Sequence, residues 1–163
     1  MREPRPISSE NALMRLAALC AASEQCSHDL REKMRRWLLP DEEAEKVLAR
    51  LVADRYVDDG RFARAYVRDK YRFARWGRSK IIMGLRAKRI SRSDIDEALG
   101  EIDLDEYEAN LLALLRAKVR TGRLSREWAD RAKLYRFAAS RGYESSLISR
   151  LISSGAPWER EDG

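Results

Sequence analysis

The number and spacing of the arginine and lysine side chains suggest that part of this chain binds anions. Between Arg61 and Arg92 the chain carries twelve Lys or Arg residues and one acid, Asp69, a local charge of +11 in a chain whose net charge is +6. Guanidinium groups bind carboxylates and phosphates through paired hydrogen bonds. We therefore predict that this segment binds an anionic partner. The alternative is a solvated helix face, although such faces usually mix charges of both signs.

The first part of this segment has the pattern of an amphipathic helix. At about 100° per residue, five arginines fall in one sector about 80° wide, and Phe62, Ala63 and Tyr66 lie opposite. The five arginines are Arg61, Arg64, Arg68, Arg72 and Arg75. One face is therefore predicted to be buried, and the other to present five guanidinium groups of a single sign.

Further basic residues extend the predicted binding surface. Those that follow the amphipathic helix are Arg78, Lys80, Arg86, Lys88 and Arg89. A second basic group consists of Arg116, Lys118, Arg120, Arg123, Arg131 and Arg136. Half of this second group could instead be ordinary solvated helix surface with no binding role. We include two of its members, Arg131 and Arg136, in the candidate site. Trp76 and Trp128 are expected in the core, with interface anchoring as the alternative.

The sequence does not indicate catalysis or metal binding. His28 is the only histidine, and the two cysteines, Cys20 and Cys26, match no zinc or redox spacing. Glycine-rich phosphate loops and nucleophile elbows are absent from the sequence. We therefore expect no catalytic residue, no metal and no cofactor. Lacking an apolar run of about 20 residues or a signal sequence, the chain is expected to be cytoplasmic, with reduced cysteines.

Helical periodicity runs through the whole chain and predicts an all-α protein of nine helices. The predicted organisation is a flexible arm at 1–9, three-helix modules at 10–56, 57–102 and 103–153, and a flexible tail at 154–163. Asp58 and Asp59 are predicted N-caps of the basic helix. The other predicted N-caps are Ser27, Ser93 and Ser125.

The three modules show the spacing of an internal repeat. Apolar positions of the second module align with the first at a shift of 51 residues, and with the third at a shift of 53. Acidic third helices alternate with basic first and second helices, since residues 41–59 carry a net charge of −4 and residues 94–108 carry −8. Tandem helical repeats stack on their neighbours, so we predict an elongated, curved array.

The motifs of this array resemble those of the RecX family of regulatory proteins. Residues 55–63 (RYVDDGRFA) are similar to its gly-tyr-leu-asn-asp-x-arg-phe-ala signature. Residues 77–90 (GRSKIIMGLRAKRI) are similar to its G-x-x-K-I-x-x-x-L-x-x-K-G-I stretch, and residues 141–143 (RGY) to its arg-gly-phe turn. The resemblance extends from about Ala12 to Ile152.

This resemblance implies a monomeric, all-α modulator of the RecA recombinase, acting in homologous recombination, DNA repair and the SOS response. It implies binding in the groove of the RecA filament on single-stranded DNA, inhibition of ATP hydrolysis, strand exchange and co-protease activity, and direct contact with DNA in some members. The sequence departs from the family pattern at the turn after the second helix of each module, where only the third module has a glycine, Gly142. Leu38 and Arg89 occupy the matching positions, and we expect those helix ends to close differently, because a left-handed conformation is strained for them.

The main alternative function is a stand-alone DNA-binding regulator of the helix-turn-helix kind. Such a protein places basic and polar residues on a recognition helix, whereas residues 94–108 contain eight acids and no base. An enzyme and an adaptor unrelated to recombination are weaker alternatives. The sequence leaves open whether the basic face meets protein carboxylates or DNA phosphates.

Overall fold

The computed structural model describes residues 1–160, and this part of the chain consists of helices joined by short turns. The helices are α1 (Ser9–Ala22), α2 (Ser27–Arg36), α3 (Asp41–Ala53), α4 (Asp59–Arg72), α5 (Arg78–Ala87), α6 (Arg92–Leu99), α7 (Leu104–Gly122), α8 (Trp128–Ser140) and α9 (Ser145–Ser154). A turn of 3-10 helix, Ala156–Trp158, follows α9. The prediction of an all-α repeat fold with nine helices is confirmed for these residues.

The helices pack in three consecutive groups: α1–α3, α4–α6 and α7–α9. Within the first group α3 packs against α1 and α2, and within the second α4 packs against α5 and α6. The main helix contact between groups joins α4 to α7. The accessible surface is 10707 Å², whereas a compact protein of this mass exposes about 8,300 Å². The excess surface agrees with an extended array.

Two hydrophobic cores hold the array together. The first lies within the first group and contains Leu16, Leu30, Met34 and Leu51, each fully buried. The second runs continuously through the second and third groups, and its members include Tyr71, Leu85, Leu111, Leu134 and Ile148. Full burial of one such apolar side chain contributes roughly 1.5–3 kcal/mol. The second and third groups therefore depend on each other, whereas most of the first group's core is its own.

The turn after the second helix of each group has the same backbone geometry. Leu38, Arg89 and Gly142 are all left-handed, with φ of 60°, 56° and 93°. Equivalent amide-to-carbonyl bonds close the three turns: Leu39 to Met34 at 3.1 Å, Ile90 to Leu85 at 3.1 Å, and Tyr143 to Ala138 at 3.4 Å. The expectation that Leu38 and Arg89 close differently is wrong. The left-handed conformation costs a non-glycine residue about 1–2 kcal/mol, which burial of the next side chain in each turn offsets.

The two aspartates at the start of α4 cap two different helices. Asp58 accepts a hydrogen bond from the Arg61 amide at 2.9 Å, which confirms it as the N-cap of α4. Asp59 instead accepts the Ser27 amide at 2.8 Å, at the start of α2. The prediction of Ser27 as an N-cap is wrong, because it is the first helical residue and its amide is satisfied from the second group. The cap of α2 is thus also a joint between groups.

Two other predicted caps are displaced along the chain. Ser91, not Ser93, caps α6 by accepting the Asp94 amide at 3.2 Å. The N-cap position of α8 is Glu127, and Ser125 instead donates its hydroxyl to an Asp130 carboxylate oxygen at 2.9 Å. In both places several serines or acids stand close together, so the residue type alone does not select the cap.

The second and third groups are joined through backbone atoms. The Gly77 amide donates to the Arg141 carbonyl at 2.8 Å, and the Ser79 amide to the Gly142 carbonyl at 3.1 Å. A Cβ atom at Gly142 would lie 2.5 Å from the backbone nitrogen of Lys80, so only glycine permits the two backbones to approach this closely. This backbone-to-backbone contact fixes the orientation of the third group on the second.

Both predicted flexible ends are attached to the helices within the described residues. Ser8 caps α1, and the Ile7 amide donates to the Trp37 carbonyl at 3.1 Å. Pro157 is buried, and the Trp158 indole donates to the Leu124 carbonyl at 3.0 Å. Contacts with the helices therefore begin at Ile7 in the predicted arm and reach Trp158 in the predicted tail. Residues 161–163 of that tail lie outside the described residues.

Candidate partner-binding surfaces

The arginines of α4 meet acids that come from neighbouring helices. Three of them form a surface line, which we call the α4 row: Arg64, Arg68 and Arg72. Arg64 lies 4.0 Å from Glu97 and Arg68 lies 3.5 Å from Glu101. Arg72 lies 3.5 Å from Glu106 of α7. The expectation of a face with a single sign is therefore wrong for the assembled surface.

This pairing explains the alternation of charge along the sequence. The acidic α6 lies along the basic α4, so that opposite charges meet inside the second group. In the first group Arg31 of α2 pairs with Glu45 of α3 at 2.7 Å. In the third, Arg150 of α9 pairs with Glu108 of α7 at 2.9 Å. Part of the alternation thus reflects complementarity within each group.

Arg61 belongs to the joint between the first and second groups. Its guanidinium donates to Glu24 at 2.6 Å, to the Arg55 carbonyl at 3.3 Å and to the Tyr56 carbonyl at 3.2 Å. The last two bonds satisfy carbonyls at the end of α3. Arg61 therefore has a structural role, although its residue type and spacing match those of the α4 row.

Lys88 and Arg78 also lie at joints. Lys88 donates to Asp29 of the first group at 2.6 Å. Arg78 pairs with Glu144 of the third group at 3.0 Å, and its guanidinium lies 4.5 Å from the centre of the Tyr107 ring. Burial raises the pKa of the Tyr107 hydroxyl, which stays neutral and donates to Glu144 at 2.9 Å. These two predicted binding residues thus connect neighbouring groups.

Two further candidates are held within their own groups. The Lys80 ammonium lies 4.5 Å from the centre of the Trp76 ring, a cation–π contact. Arg131 donates to the Ile152 carbonyl at 3.3 Å and packs over Trp158, 5.9 Å from its ring centre. Both cations are only half-exposed.

Four candidates remain unpaired. Within residues 1–160, no hydrogen bond, ion pair or ring contact uses the guanidinium groups of Arg75, Arg86, Arg89 and Arg136. All four side chains are exposed. Arg75 and Arg89 are also left-handed, with φ of 53° and 56°. These four are the candidates best placed to contact another molecule.

The structure brings Arg75 together with arginines that are not part of the predicted binding site. A cleft of about 670 Å³ lies between the C-terminal end of α4, one face of α7 and the residues after α9; we call it the basic cleft. Its charged lining consists of Arg75, Arg116, Arg120, Arg160 and Glu159. Arg116 and Arg120 stand in the second basic group of the sequence. Their proximity to Arg75 depends on the packing of α4 on α7, which no local pattern reveals.

Two aromatic side chains are almost fully exposed. Trp128 is 83% exposed and Phe73 is 82% exposed. The expectation that Trp128 lies in the core is therefore wrong, while the half-buried Trp76 packs against the second core. Phe73 is the C-cap of α4 and precedes Arg75 by two residues. Aromatic side chains contribute strongly to interface energetics, so both exposed rings are candidates for contact with another molecule.

The cysteines and acids form no reactive centre in the described part of the chain. Cys26 is fully buried at the N-terminus of α2. A helix N-terminus lowers the pKa of a thiol, but burial outweighs it here and raises the pKa of Cys26 to about 11. Among residues 1–160, no cluster of His, Cys, Asp and Glu could hold a metal ion. None of the helices in this range has the length and apolar character needed to cross a membrane.

Comparison with known protein families matches the second and third helical groups. Residues 58–99 match the family described as "RecX, second three-helix domain", and residues 105–152 match "RecX, third three-helix domain". These two ranges coincide with α4–α6 and α7–α9.

Individual relatives cover most of the chain. It is 28% identical over 161 residues to the regulatory protein RecX of Streptomyces coelicolor, covering 98% of this chain and 85% of that protein. It is 32% identical over 134 residues to the regulatory protein RecX of Ectopseudomonas mendocina, covering 82% of this chain and 87% of the relative.

Solved structures agree with the fold. A crystal structure of regulatory protein RecX superposes with a TM-score of 0.80 at 25% identity, covering 90% of this chain and 71% of that one. The structure of RecX from Lactobacillus salivarius superposes with a TM-score of 0.78 at 15% identity, covering 90% and 95% of the two chains.

Proposed function

The chain belongs to the RecX family of regulatory proteins, and we propose that it is a negative regulator of the RecA recombinase. It binds along the groove of the RecA filament on single-stranded DNA. There it inhibits ATP hydrolysis, strand exchange and co-protease activity. In this proposal the protein acts as a cytoplasmic monomer during DNA repair and the SOS response. The observation that carries the proposal is the match of two tandem three-helix domains to this family, within an extended all-α array.

The extended shape supports binding along a filament. Three helical groups in a row expose more surface than a compact protein of the same mass. An extended array can contact several successive subunits of another polymer, because each repeat presents its own face. The rigid joint between the second and third groups keeps their two faces in a fixed relation.

The α4 row supplies exchangeable charges for such a contact. Its ion pairs are long, at 3.5–4.0 Å, and its arginines are 35–48% exposed. Exposed ion pairs of this kind contribute about 0–1 kcal/mol. A partner's carboxylates or phosphates can therefore replace the internal acids at small cost. Together with the unpaired Arg86, Arg89 and Arg136, the α4 row is the proposed surface for the RecA filament or its DNA.

The experiment is RecA ATP hydrolysis on single-stranded DNA, titrated with this protein at two salt concentrations. We expect inhibition by the wild type that weakens at the higher salt. The double variant Arg68→Gln, Arg72→Gln should inhibit less. Glutamine is preferred over glutamate because a new carboxylate would stand beside Glu101 and Glu106, about where the present pairs measure 3.5 Å, and would destabilise the fold.

A matched control removes the same charge elsewhere. Arg35→Gln, Arg50→Gln also breaks two exposed ion pairs, with Glu32 and Asp54 in the first group. This control should inhibit like the wild type. If the wild type leaves the rate unchanged and binds one duplex sequence tightly, the protein is instead a stand-alone DNA-binding regulator.

A further inference from the structure

The first helical group carries a small basic pocket of its own. It has a volume of about 310 Å³ and lies where the N-terminal arm passes α1 and the turn after α2; we call it the Leu38 pocket. Its charged lining consists of Arg5, Arg15 and Arg36, with no acid, a net charge of +3. The pocket shares no residue with the α4 row or with the basic cleft.

Leu38 lines this pocket in a strained backbone conformation. Its φ is 60°, in the region that favours glycine, and its side chain is 49% exposed. A glycine at this position would still let Leu39 fill the first core, and it would do so without strain. Half of the Leu38 side chain is free to pack against another molecule. A strained and exposed apolar residue of this kind is expected where the side chain contacts a partner.

The arginines of the pocket have no acid of this chain to pair with. Arg5 and Arg36 are exposed, and within residues 1–160 their guanidinium groups make no hydrogen bond, ion pair or ring contact. The Arg15 guanidinium is also exposed and lies 5.7 Å from the centre of the Trp37 ring. Free guanidinium groups bind carboxylates through paired hydrogen bonds. Cations available to an external anion therefore surround the exposed Leu38 side chain.

The apolar walls favour a protein partner over a nucleic acid. Proteins that bind single strands stack bases on exposed aromatic rings. The half-buried Trp37 instead packs against the first core, and Arg15 lies over its ring, so a base finds little ring surface here. The other apolar lining residues, Pro4, Ile7 and Leu38, are aliphatic. Aliphatic walls match an apolar side chain, and the arginines match acids beside it.

We propose that the Leu38 pocket binds an acidic segment of a partner protein. One large apolar side chain of that segment packs against Leu38, and carboxylates on either side of it pair with Arg5 and Arg36. The volume of the pocket lies at the lower end of the range for ligand sites, which suits a single side chain and its neighbours. This binding needs neither RecA nor DNA, so it is independent of the proposed function.

The test measures binding of a fluorescein-labelled peptide, GGDDFDDGG, to the full-length protein by fluorescence anisotropy. In this probe the phenylalanine is the apolar side chain and the aspartates are the acids. Two matched peptides carry serine in place of the phenylalanine, or asparagines in place of the aspartates. We expect saturable binding of the first peptide, and binding at least about fivefold weaker for each of the other two.

Two variants remove the two kinds of contact separately. Leu38→Gly relieves the left-handed strain, so it stays folded, and it should weaken binding of the first peptide about fivefold, because the exposed half of the leucine no longer packs on the phenylalanine. It should leave binding of the serine peptide unchanged. Arg5→Gln, Arg36→Gln removes no contact within residues 1–160 and should weaken binding about 10-fold, because each exposed ion pair contributes up to about fivefold.

The control is Arg55→Gln, Arg123→Gln, which removes two exposed arginines that are also unpaired and left-handed but lie outside the pocket lining. Its affinity for the first peptide should stay within about twofold of wild type, because distant exposed charges are screened by salt. Equal losses in the two double variants would mean that net charge binds the peptide, and would overturn the proposal.

Three further results would also overturn it. The first is an absence of saturable peptide binding by the wild type up to about 1 mM, a concentration that reveals even a weak contact. The second is equal affinity for the phenylalanine and serine peptides, which would leave Leu38 without a role. In the third, Arg5→Gln, Arg36→Gln binds the peptide normally but loses affinity for a fluorescein-labelled oligothymidylate, which would identify the pocket as a nucleic-acid contact.

Discussion

The three equivalent turns at Leu38, Arg89 and Gly142 predict opposite effects from two conservative changes. Arg89→Gly should stabilise the protein, because it removes left-handed strain at a position where the side chain is exposed and unpaired. Gly142→Ala should destabilise it, because it introduces the same strain and adds an atom where the backbone of the second group passes.

The sizes of the two effects follow from the geometry. Strain of about 1–2 kcal/mol is relieved in Arg89→Gly, and the greater freedom of glycine in the unfolded chain offsets about 0.5–1 kcal/mol of it. A net gain of about 0.5–1 kcal/mol is expected. In Gly142→Ala the strain adds to a contact of 2.5 Å between the new Cβ atom and the backbone nitrogen of Lys80. Overpacking of this kind costs about 1–3 kcal/mol, so the total loss is about 2–5 kcal/mol.

Urea unfolding measures both effects. The chain has four tryptophans, and Trp76 precedes the glycine of the joint, so tryptophan fluorescence reports on the relevant groups. For a protein of this size, each kcal/mol also shifts Tm by about 2–4 °C. Leu38→Gly should resemble Arg89→Gly in sign, since it has the same φ and the same closing bond.

Two results would refute the reasoning. A loss of stability in Arg89→Gly would mean that the arginine side chain contributes more than the strain costs, through an interaction absent from residues 1–160. A Gly142→Ala variant as stable as wild type would mean that the two backbones do not approach as closely as the glycine contacts indicate.

Three further predictions concern titration, the C-terminal turn and the first joint. Stability should fall as pH rises from 9 towards 11, because the Cys26 thiol of the unfolded chain ionises near 9.0 whereas burial raises its folded pKa to about 11; Cys26→Ala should flatten this part of a urea-stability profile against pH. Trp158→Ala should cost about 2–3 kcal/mol in urea unfolding, since a half-buried indole and its bond to Leu124 are lost. Lys88→Gln should cost about 0.5 kcal/mol by removing the pair with Asp29, and should weaken the dependence of stability on salt.

Each of these three has a control on the same chain. Cys20→Ala, at a less buried thiol, should flatten the alkaline profile less than Cys26→Ala. Trp128→Ala should stay within about 0.5 kcal/mol of wild type, because that ring is 83% exposed. Arg92→Gln should have no measurable effect, since Arg92 is 93% exposed and lies 3.9 Å from Asp96. If a control variant changes stability as much as the variant it is matched with, the explanation given for that variant is contradicted.

The sequence was sufficient to predict the helices and their grouping, because both depend on local periodicity. Ile81 and Leu85 are four residues apart on one face of α5, and Leu111 and Leu115 have the same spacing on α7; all four are buried. The repeat was visible for the same reason, since equivalent apolar residues recur at nearly constant distances.

The surface was less predictable because it is assembled from distant segments. The α4 row has one sign along its own helix, but Glu97 and Glu106 reach it from α6 and α7. A helical projection contains no information about such neighbours. The left-handed conformation of Arg89 is not predictable from the sequence for a related reason, because its local cost is outweighed by the burial of Ile90, which depends on packing.

The difference between the two joints has a consequence for how the molecule opens. The second and third groups share a core and a backbone contact, whereas the first group has its own core and is attached largely by side-chain bonds such as Glu24 to Arg61. Local opening of the first group therefore leaves the rest closed. Backbone amides of α1–α3 should exchange with deuterium ahead of those buried in α4 and α7, and the gap between the two populations should widen as salt screens the first joint.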